Sequence, residues 1–378
     1  MAACGCLLIW QPRASAQTWT PTLAPSTDWI SVASSADGSH LLAGGNSALY
    51  TSTNAGANWT TNNVPVRDWA CVASSADGNQ LAAAVGYPNT GGIYVSTNGG
   101  GIWTPSAAPA NQWHALAMSP DGTKLMALPA TGAPLYMSTD SGTSWQTNNL
   151  SANFLMAVAA SADGNQWAVV EGGGGVFVST NIGISWASNN VNSWPFDAPC
   201  LAASADGHIL VAAQGGNGGS ICISTNLGAS WNTNTVRKVW GSVAASADGR
   251  RLIAGSYPAI YTSTDFGMTW ISNTAPSMTW RAVASSADGS KLVAATWPGG
   301  IYTWQAAPAP AMNIVTESGR LKLSWLVPST NFVTQESPDL QSWANLTNQP
   351  ILNLTNLQNE ILLSTFESTS FYRLVEVP

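Results

Sequence analysis

The four residues S-A-D-G at positions 35–38 decide the fold, because they return at a nearly constant interval along most of the chain. The motif, once in the variant S-P-D-G, ends at Gly38, Gly78, Gly122, Gly164, Gly207, Gly249 and Gly289. The intervals between the successive motif aspartates, from Asp37 to Asp288, are 40, 44, 42, 43, 42 and 40 residues. A repeat of this length indicates that each copy is one supersecondary unit.

Each repeat unit is predicted to hold four short strands. Residues 28–38 (DWISVASSADG) predict an inner strand A that ends in an Asp-Gly turn, where glycine tolerates a positive φ. In the second unit, residues 79–85, 91–97 and 103–106 predict strands B, C and D. Repeats of four strands are typical of β-propellers, and seven copies predict seven blades.

The two ends of the repeat region complement each other. The last unit runs only to I-Y-T-W at 301–304 and lacks a strand D. Trp19 precedes Trp29 by ten residues, as Trp59 precedes Trp69. The N-terminal segment is therefore predicted to supply the missing strand, which closes the ring and removes an exposed sheet edge.

The predicted fold class is all-β: a seven-bladed propeller closed by its N-terminal strand, followed by a small β-sandwich-like domain. Residues 1–16 resemble a signal peptide, complete or truncated at its start, that ends in the A-x-A sequence Ala14-Ser15-Ala16. Residues 17–304 are the propeller, 305–312 a Pro/Ala linker, and 313–378 the C-terminal β module. We expect a secreted, periplasmic or cell-surface protein without a transmembrane segment.

Composition excludes one class of partner. Only 8% of residues are charged, the net charge is −7, and the 12 Lys and Arg residues are scattered singly. Nucleic-acid binders need a basic stripe to displace counterions, so nucleic acid is excluded. The three histidines are isolated, so no metal or cofactor is expected, and Cys71, Cys200 and Cys222 are expected to be buried free thiols. The oligomeric state cannot be read from the sequence.

A second motif, S-x-[D/N]-x-G-x-x-W, occurs six times and resembles the Asp-box, or BNR repeat, of sialidases and many other propellers. Its acidic or amide positions are Asn54, Asn98, Asp140, Asn181, Asn226 and Asp265. The resemblance implies a turn between strands C and D, away from any active site, in which these side chains hydrogen-bond the backbone. The chain is also similar to the photosystem-assembly-factor type of BNR propeller, a chaperone-like protein binder.

The chain departs from sialidases in having no F/Y-R-I-P stretch, no evident Tyr–Glu pair and seven units in place of six. Sialidase activity is therefore not expected.

Most length variation between the units falls between strands B and C, so we expect the ligand surface on the face of the B–C loops and D–A links. Tyr87, Tyr257 and Trp297 are placed in B–C loops, and Arg67, Arg237 and Arg281 in the segments that lead into the same blades 2, 6 and 7. Arginine holds carboxylates and aromatic rings stack on sugars, so an acidic glycan or a protein or peptide is the expected ligand. The alternative is that these are solvated arginines and aromatics that cap blade ends.

Five tryptophans recur eight residues before the motif aspartate: Trp29, Trp69, Trp113, Trp240 and Trp280. Regular spacing favours wedges between blades, and the alternative is an aromatic ring for carbohydrate at the mouth of the channel.

The function predicted is a non-catalytic binding or scaffold module. The alternative is a carbohydrate-active enzyme of the glycoside hydrolase type, which needs two facing carboxylates. Outside turns and boxes, Asp28 with Asp68, or Glu171 with Asp197, are the candidates for such a pair.

Overall fold

A computed structural model describes residues 18–305, apart from 131–133, 149, 151, 153, 174, 191–199, 217 and 235, and the strands of 313–376. Contacts divide the chain into two compact units, of which one is Thr18–Gln305 and the other contains Ala306–Pro378. The predicted signal peptide, the linker from 306 to 312 and Asp197 lie outside the described residues.

All the described regular structure is β-strand. The first strands are β1 (Thr20–Pro21), β2 (Trp29–Ser34), β3 (Leu41–Gly45), β4 (Leu49–Ser52), β5 (Thr60–Thr61), β6 (Trp69–Ser74), β7 (Leu81–Val85), β8 (Ile93–Ser96), β9 (Thr104–Pro105), β10 (Trp113–Met118), β11 (Leu125–Pro129), β12 (Leu135–Ser138), β13 (Gln146–Asn148) and β14 (Leu155–Ala160). The next are β15 (Trp167–Glu171), β16 (Gly175–Ser179), β17 (Ala187–Asn190), β18 (Cys200–Ala203), β19 (Leu210–Ala213), β20 (Ile221–Ser224), β21 (Asn232–Thr233), β22 (Trp240–Ala245), β23 (Leu252–Ser256), β24 (Ile260–Ser263), β25 (Ile271–Ser272), β26 (Trp280–Ser285), β27 (Lys291–Thr296) and β28 (Ile301–Gln305).

These strands form seven antiparallel four-stranded sheets, which are the blades. Blades 1 to 6 are β2–β5, β6–β9, β10–β13, β14–β17, β18–β21 and β22–β25, each with its strands in the order A-B-C-D. The inner strands β2, β6, β10, β14, β18, β22 and β26 lie side by side in a closed ring. The prediction of a seven-bladed propeller is confirmed.

Blade 7 joins the two ends of the larger unit. Its order is β26-β27-β28-β1, with Thr20 opposite Thr303 and Pro21 opposite Tyr302. The N-terminal segment therefore supplies strand D of the last blade, as predicted from the position of Trp19.

The S-A-D-G turns are held by a buried serine. In blade 1, Ser35 Oγ donates to Asp37 Oδ1 at 2.6 Å and accepts from the amide of His40 at 3.0 Å. Gly38 has a φ of +68°, and a Cβ there would lie 2.8 Å from the side chain of Lys291 in blade 7. The motif thus fixes both the turn and its contact with the neighbouring blade.

These turns are hydrogen-bonded to one another around the lower end of the channel. In each bond, the amide of one turn donates to a carbonyl oxygen of the turn in the next blade, at 2.6–2.8 Å. The donor and acceptor pairs are Ala36 to Ala76, Ala76 to Pro120, Ala162 to Ala205, Ala205 to Ala247, Ala247 to Ala287 and Ala287 to Ala36. The ring of bonds is interrupted between blades 3 and 4, because Pro120 has no N–H to donate. Lys124 Nζ spans that gap with a bond of 2.7 Å to the carbonyl oxygen of Asp163.

The S-x-[D/N]-x-G-x-x-W segments form the turns between strands C and D. In blade 1, Ser52 Oγ accepts from the amide of Gly56 at 2.9 Å, and Asn54 Oδ1 accepts from the amide of Asn58 at 2.8 Å. The second bond recurs at Asn98, Asp140, Asn181, Asn226 and Asp265. The six turns are therefore local structural devices.

The recurring inner tryptophans are wedges. All five are at most 1% exposed, and each meets a strand C tyrosine nearly edge-on, as in Trp29 with Tyr50 at 5.3 Å between centroids. Blade 4 has Leu155 at this position, and Trp167 on its strand B is buried in the same cluster. The alternative of an aromatic ring open to carbohydrate is wrong, because no indole face is accessible.

The B–C loops and D–A links share the upper face. Thr27 bridges Gly299, Asn46 bridges Asp68, Gly91 bridges Asn111, and Gly219 bridges Lys238. In each pair, a B–C loop is joined to the link that leaves its blade, so the loops and links of blades 1, 2, 5 and 7 share one face, as predicted.

The smaller unit contains two sheets. One has the order β29-β30-β34-β33 and the other β32-β31-β35. Their strands are β29 (Asn313–Glu317), β30 (Arg320–Leu326), β31 (Phe332–Ser337), β32 (Ala344–Asn345), β33 (Ile351–Asn353), β34 (Gln358–Leu363) and β35 (Phe371–Glu376). Leu323, Trp325 and Ile361 form its core.

Candidate functional site

A β-bulge recurs near the start of the inner strands. The register with strand B skips one residue after Trp29, Trp69, Trp113, Leu155, Trp240 and Trp280. The skipped residues are Ile30, Ala70, His114, Met156, Gly241 and Arg281, and all six line one cavity on the axis of the ring. A bulge re-aims a side chain and so turns one residue per strand toward the channel.

The cavity has a volume of about 550 Å³ and occupies the part of the channel nearest the upper face. Tyr257, Val239 and Thr279 line it from the B–C loops and D–A links, and Val32 and Leu116 lie further along the strands. Cavities of this size take small ligands or side chains. We call the bulge residues the channel neck and the whole cavity the channel mouth.

Among the described residues that line the channel mouth, Arg281 alone carries a formal charge. Its side chain is exposed to the cavity, and it makes no hydrogen bond or ion pair with the rest of the described chain. The sequence placed Arg281 in the segment that leads into blade 7. The structure corrects this: Arg281 is the second residue of β26, and the bulge directs it inward.

His114 faces the channel from blade 3, on the opposite side of the ring from blade 7. Removal from bulk water lowers the pKa of His114 below its ordinary value of 6.5, and the positive charge of Arg281 lowers it further. The imidazole is therefore neutral at pH 7 and can donate or accept a hydrogen bond. The closed ring brings His114, which has no neighbouring metal ligand in the sequence, within the field of Arg281.

Two of the three thiols also line the channel mouth. Burial raises the pKa of Cys71 and of Cys200 to about 12, although Arg281 opposes this for Cys200. Both are therefore protonated at neutral pH and are poor nucleophiles. The three cysteines among the described residues, Cys71, Cys200 and Cys222, are free, as expected, but Cys200 is only half-buried because it contacts the channel.

The other two arginines of the predicted ligand site, Arg67 and Arg237, lie outside the channel mouth. Arg67 is exposed and donates to the carbonyl oxygen of Val66 at 3.0 Å. Arg237 is partly buried and donates to the hydroxyl of Ser220, which ties the link to the B–C loop of blade 5. Neither lines the channel mouth, so the structure does not assemble the three arginines into one site.

The three predicted aromatics project from the upper face. Tyr87 is 77% exposed, Tyr257 63% and Trp297 52%. Only Tyr257 reaches the channel mouth. The predicted sector is therefore divided into a channel part, Arg281 with Tyr257, and an outer part that holds Tyr87 and Trp297.

The predicted carboxylates have local partners. Asp28 Oδ2 accepts from Asn46 Nδ2 at 3.0 Å, and Asp68 Oδ2 accepts from Asn89 Nδ2 at 2.6 Å. In both blades, the aspartate of the incoming link is thus tied to the B–C loop. Glu171 is the last residue of β15, and it also has an interaction partner.

No protein-family profile matches this sequence, and no curated protein matches it either. Solved structures match by fold. The structure of YCF48 bound to D1 peptide has a TM-score of 0.60 and 16% identity, over 79% of this chain and 99% of that one. YCF48 from Cyanidioschyzon merolae has a TM-score of 0.59 and 13% identity, over 76% and 98% of the two chains.

An enzyme matches as well. The GH74 xyloglucanase from Xanthomonas campestris has a TM-score of 0.59 and 17% identity, over 82% of this chain, which spans only 60% of the enzyme. The chain is a seven-bladed β-propeller. At 13–17% identity these similarities show the fold of the propeller and not its activity, and that fold is consistent with a BNR-type propeller.

The described part of the chain shows neither a metal-binding cluster nor a membrane-spanning helix. Three or more His, Cys, Asp or Glu side chains are nowhere grouped within it in a way that could hold a metal ion. Nor does it contain a helix with the length and hydropathy that a membrane crossing requires.

Proposed function

We propose that the protein is an exported, non-catalytic binding module whose upper face holds a peptide or protein segment, with a carboxylate of that segment on Arg281. Export is inferred from the signal-peptide pattern of residues 1–16.

The unpaired guanidinium of Arg281 in the channel mouth is the observation that carries this proposal. A guanidinium has five N–H donors and matches a carboxylate in a bidentate geometry. Because Arg281 stands in a concave site, a bound carboxylate is partly shielded from bulk water, which strengthens the pair relative to an open surface. The neutral imidazole of His114 adds a second possible donor across the channel.

The surroundings of Arg281 favour a peptide over a sugar. Most of the residues that line the channel mouth are apolar, including Ile30, Met156 and Val239. These apolar side chains suit those of a peptide, and the polar surface between them can hydrogen-bond its backbone. That a propeller of the same fold, YCF48, has been solved with a peptide bound is in keeping with this choice.

The enzymatic alternative has no comparable support. The carboxylates of Asp28 and Asp68 each accept a hydrogen bond from an asparagine in the B–C loop of the same blade. This structural role explains both aspartates without catalysis. The likeness to a xyloglucanase extends to the fold alone.

The test is an array of peptides beside an array of acidic glycans, both probed with the purified protein. We expect binding to peptides that carry a carboxylate, at least about tenfold weaker in Arg281→Gln and retained in Arg67→Gln, since Arg67 lies outside the channel. Equal binding by wild type and Arg281→Gln would overturn the proposal. So would turnover of a glycoside that Asp68→Asn abolishes.

A further inference from the structure

The size of the side chain at the neck differs from blade to blade. At the neck, Ala70 and Gly241 occupy bulge positions that hold Ile30 and Met156 in other blades. Blades 2 and 6 therefore contribute the smallest side chains to the neck.

Behind the neck, the wall is a ring of branched apolar residues. These are Val32, Val72, Leu116, Val158, Val243 and Val283, which occupy equivalent positions two residues after the bulge. Each is only 5–9% exposed, because it packs mainly between two blades, so a side chain that passes the neck meets the exposed edges of these residues. Burial of an apolar side chain against these edges is favourable.

The charge stands at the neck, above this apolar ring. Arg281 is the bulge residue of blade 7, and Val283 lies two residues further along the same strand. A ligand that satisfies both needs a carboxylate and an apolar group a few bonds apart. The last residue of a peptide chain has this arrangement, because its carboxylate and its side chain share one Cα.

We propose that the channel mouth takes the free C-terminus of a peptide, with the terminal carboxylate on Arg281 and an apolar last side chain against the valine ring. This deepens the function proposed above and rests on it. An internal aspartate or glutamate is a poorer fit, because its carboxylate stands at the end of the side chain and leaves no apolar group of the same residue for the valine ring.

The test compares three probes: acetyl-Ala-Ala-Leu as the free acid, the same peptide as its C-terminal amide, and acetyl-Ala-Glu-Ala amide. Binding is followed by the imidazole NMR signals, of which the chain has only three sets. His114 lies in the channel, whereas His40 and His208 lie beside A–B turns on the opposite face. Those two histidines serve as internal controls.

We expect the free acid to shift the His114 signals alone and to bind at least about tenfold more tightly than the amide. Arg281→Gln should remove that preference, and Arg281→Lys should retain part of it because the charge remains. Thermal unfolding of each variant checks the fold. Because the Arg281 side chain has no hydrogen-bond or ion-pair partner in the described chain, its replacement should leave the unfolding temperature unchanged.

The outcomes separate the two proposals. Equal binding of acid and amide, or tighter binding of the glutamate peptide with the same dependence on Arg281, overturns C-terminal capture while the function proposed above stands. A shift of His40 or His208 in place of His114 also overturns it. Failure of peptides of every kind on the array removes the function itself.

Discussion

Trp19 and Trp280 lie with their ring centroids 6.0 Å apart, although they come from opposite ends of the propeller sequence. Trp19 is 6% exposed and shares a core cluster with Tyr302 and Ile253. This contact holds β1 in blade 7, so the ring is closed by packing as well as by strand pairing.

Trp19→Ala should therefore destabilise the propeller by about 3–5 kcal/mol, the usual cost of emptying a buried tryptophan site. Trp297→Ala is the matched control, because that indole is 52% exposed and its loss should change the free energy of unfolding by no more than about 0.5 kcal/mol. Chemical denaturation measures both. Similar values for the two variants would mean that the N-terminal strand does not close the ring.

The Asp-Gly turns predict an acid-sensitive contribution to stability. The bond from Ser75 Oγ to Asp77 Oδ1 is the largest of the causes that lower the pKa of Asp77 from 3.8 to about 2. A group whose pKa is lower in the folded state stabilises it above the unfolded pKa, and this contribution is lost as the pH falls through the folded pKa.

Ser75→Ala should cost about 1–3 kcal/mol at pH 7, because it also leaves the amide of Gln80 without its acceptor. The difference from wild type should narrow as the pH falls from about 5 toward about 2. Ser74→Ala is the control, since the hydroxyl of Ser74 bonds only to the carbonyl oxygen of Ser75. A pH-independent difference would show that the carboxylate is not involved.

Two inner tryptophans differ in one hydrogen bond. Trp113 Nε1 donates to the carbonyl oxygen of Gly91 at 3.0 Å, whereas Trp69 Nε1 has no partner among the described residues. The B–C loop of blade 2, residues 86–92, is long enough to reach Trp113, while that of blade 1 spans only 46–48.

Trp113→Phe should therefore be more destabilising than Trp69→Phe by about 1–2 kcal/mol, since both lose similar apolar contacts and only the first loses a bond. Denaturant titration of the two variants gives the comparison. Equal losses would indicate that the loop carbonyl contributes nothing.

Binding at the channel mouth should strengthen in acid. A bound carboxylate favours the protonated form of His114, so affinity should rise as the pH falls from about 7.5 to about 5.5, while the ligand stays ionised. Of the other groups that face this site, Cys71 and Cys200 have pKa values of about 12 and stay protonated. His114→Asn should bind with an affinity independent of pH over this range. If the affinity of wild type is equally independent of pH, the imidazole of His114 takes no part in the site.

Much of the fold follows from local chemistry that a sequence displays. The Asp-Gly turns need φ > 0 at glycine. The tryptophan spacing predicts a wedge at the start of the inner strand in five of the seven blades. The ring closure was also predictable, because Trp19 repeats the spacing of Trp59. Each of these features depends on residues close together in the chain.

The channel mouth could not be predicted in this way. Arg281 follows Trp280 directly, so strand alternation gives no sign that a bulge turns it into the channel. His114 is isolated in the sequence and meets the field of Arg281 only because blades 3 and 7 face each other across a closed ring. Arg67 and Arg237 carried the same sequence signal as Arg281, but only Arg281 lines the cavity.

The most direct test of the binding function is the dissociation constant of wild type, Arg281→Gln and Arg67→Gln for a carboxylate-bearing peptide recovered from the array. Loss of affinity by at least about tenfold in the channel variant, with Arg67→Gln unchanged, is the result we predict. If Arg281→Gln binds as tightly as wild type, the guanidinium in the channel is not the ligand site, and the function assigned to this face is contradicted.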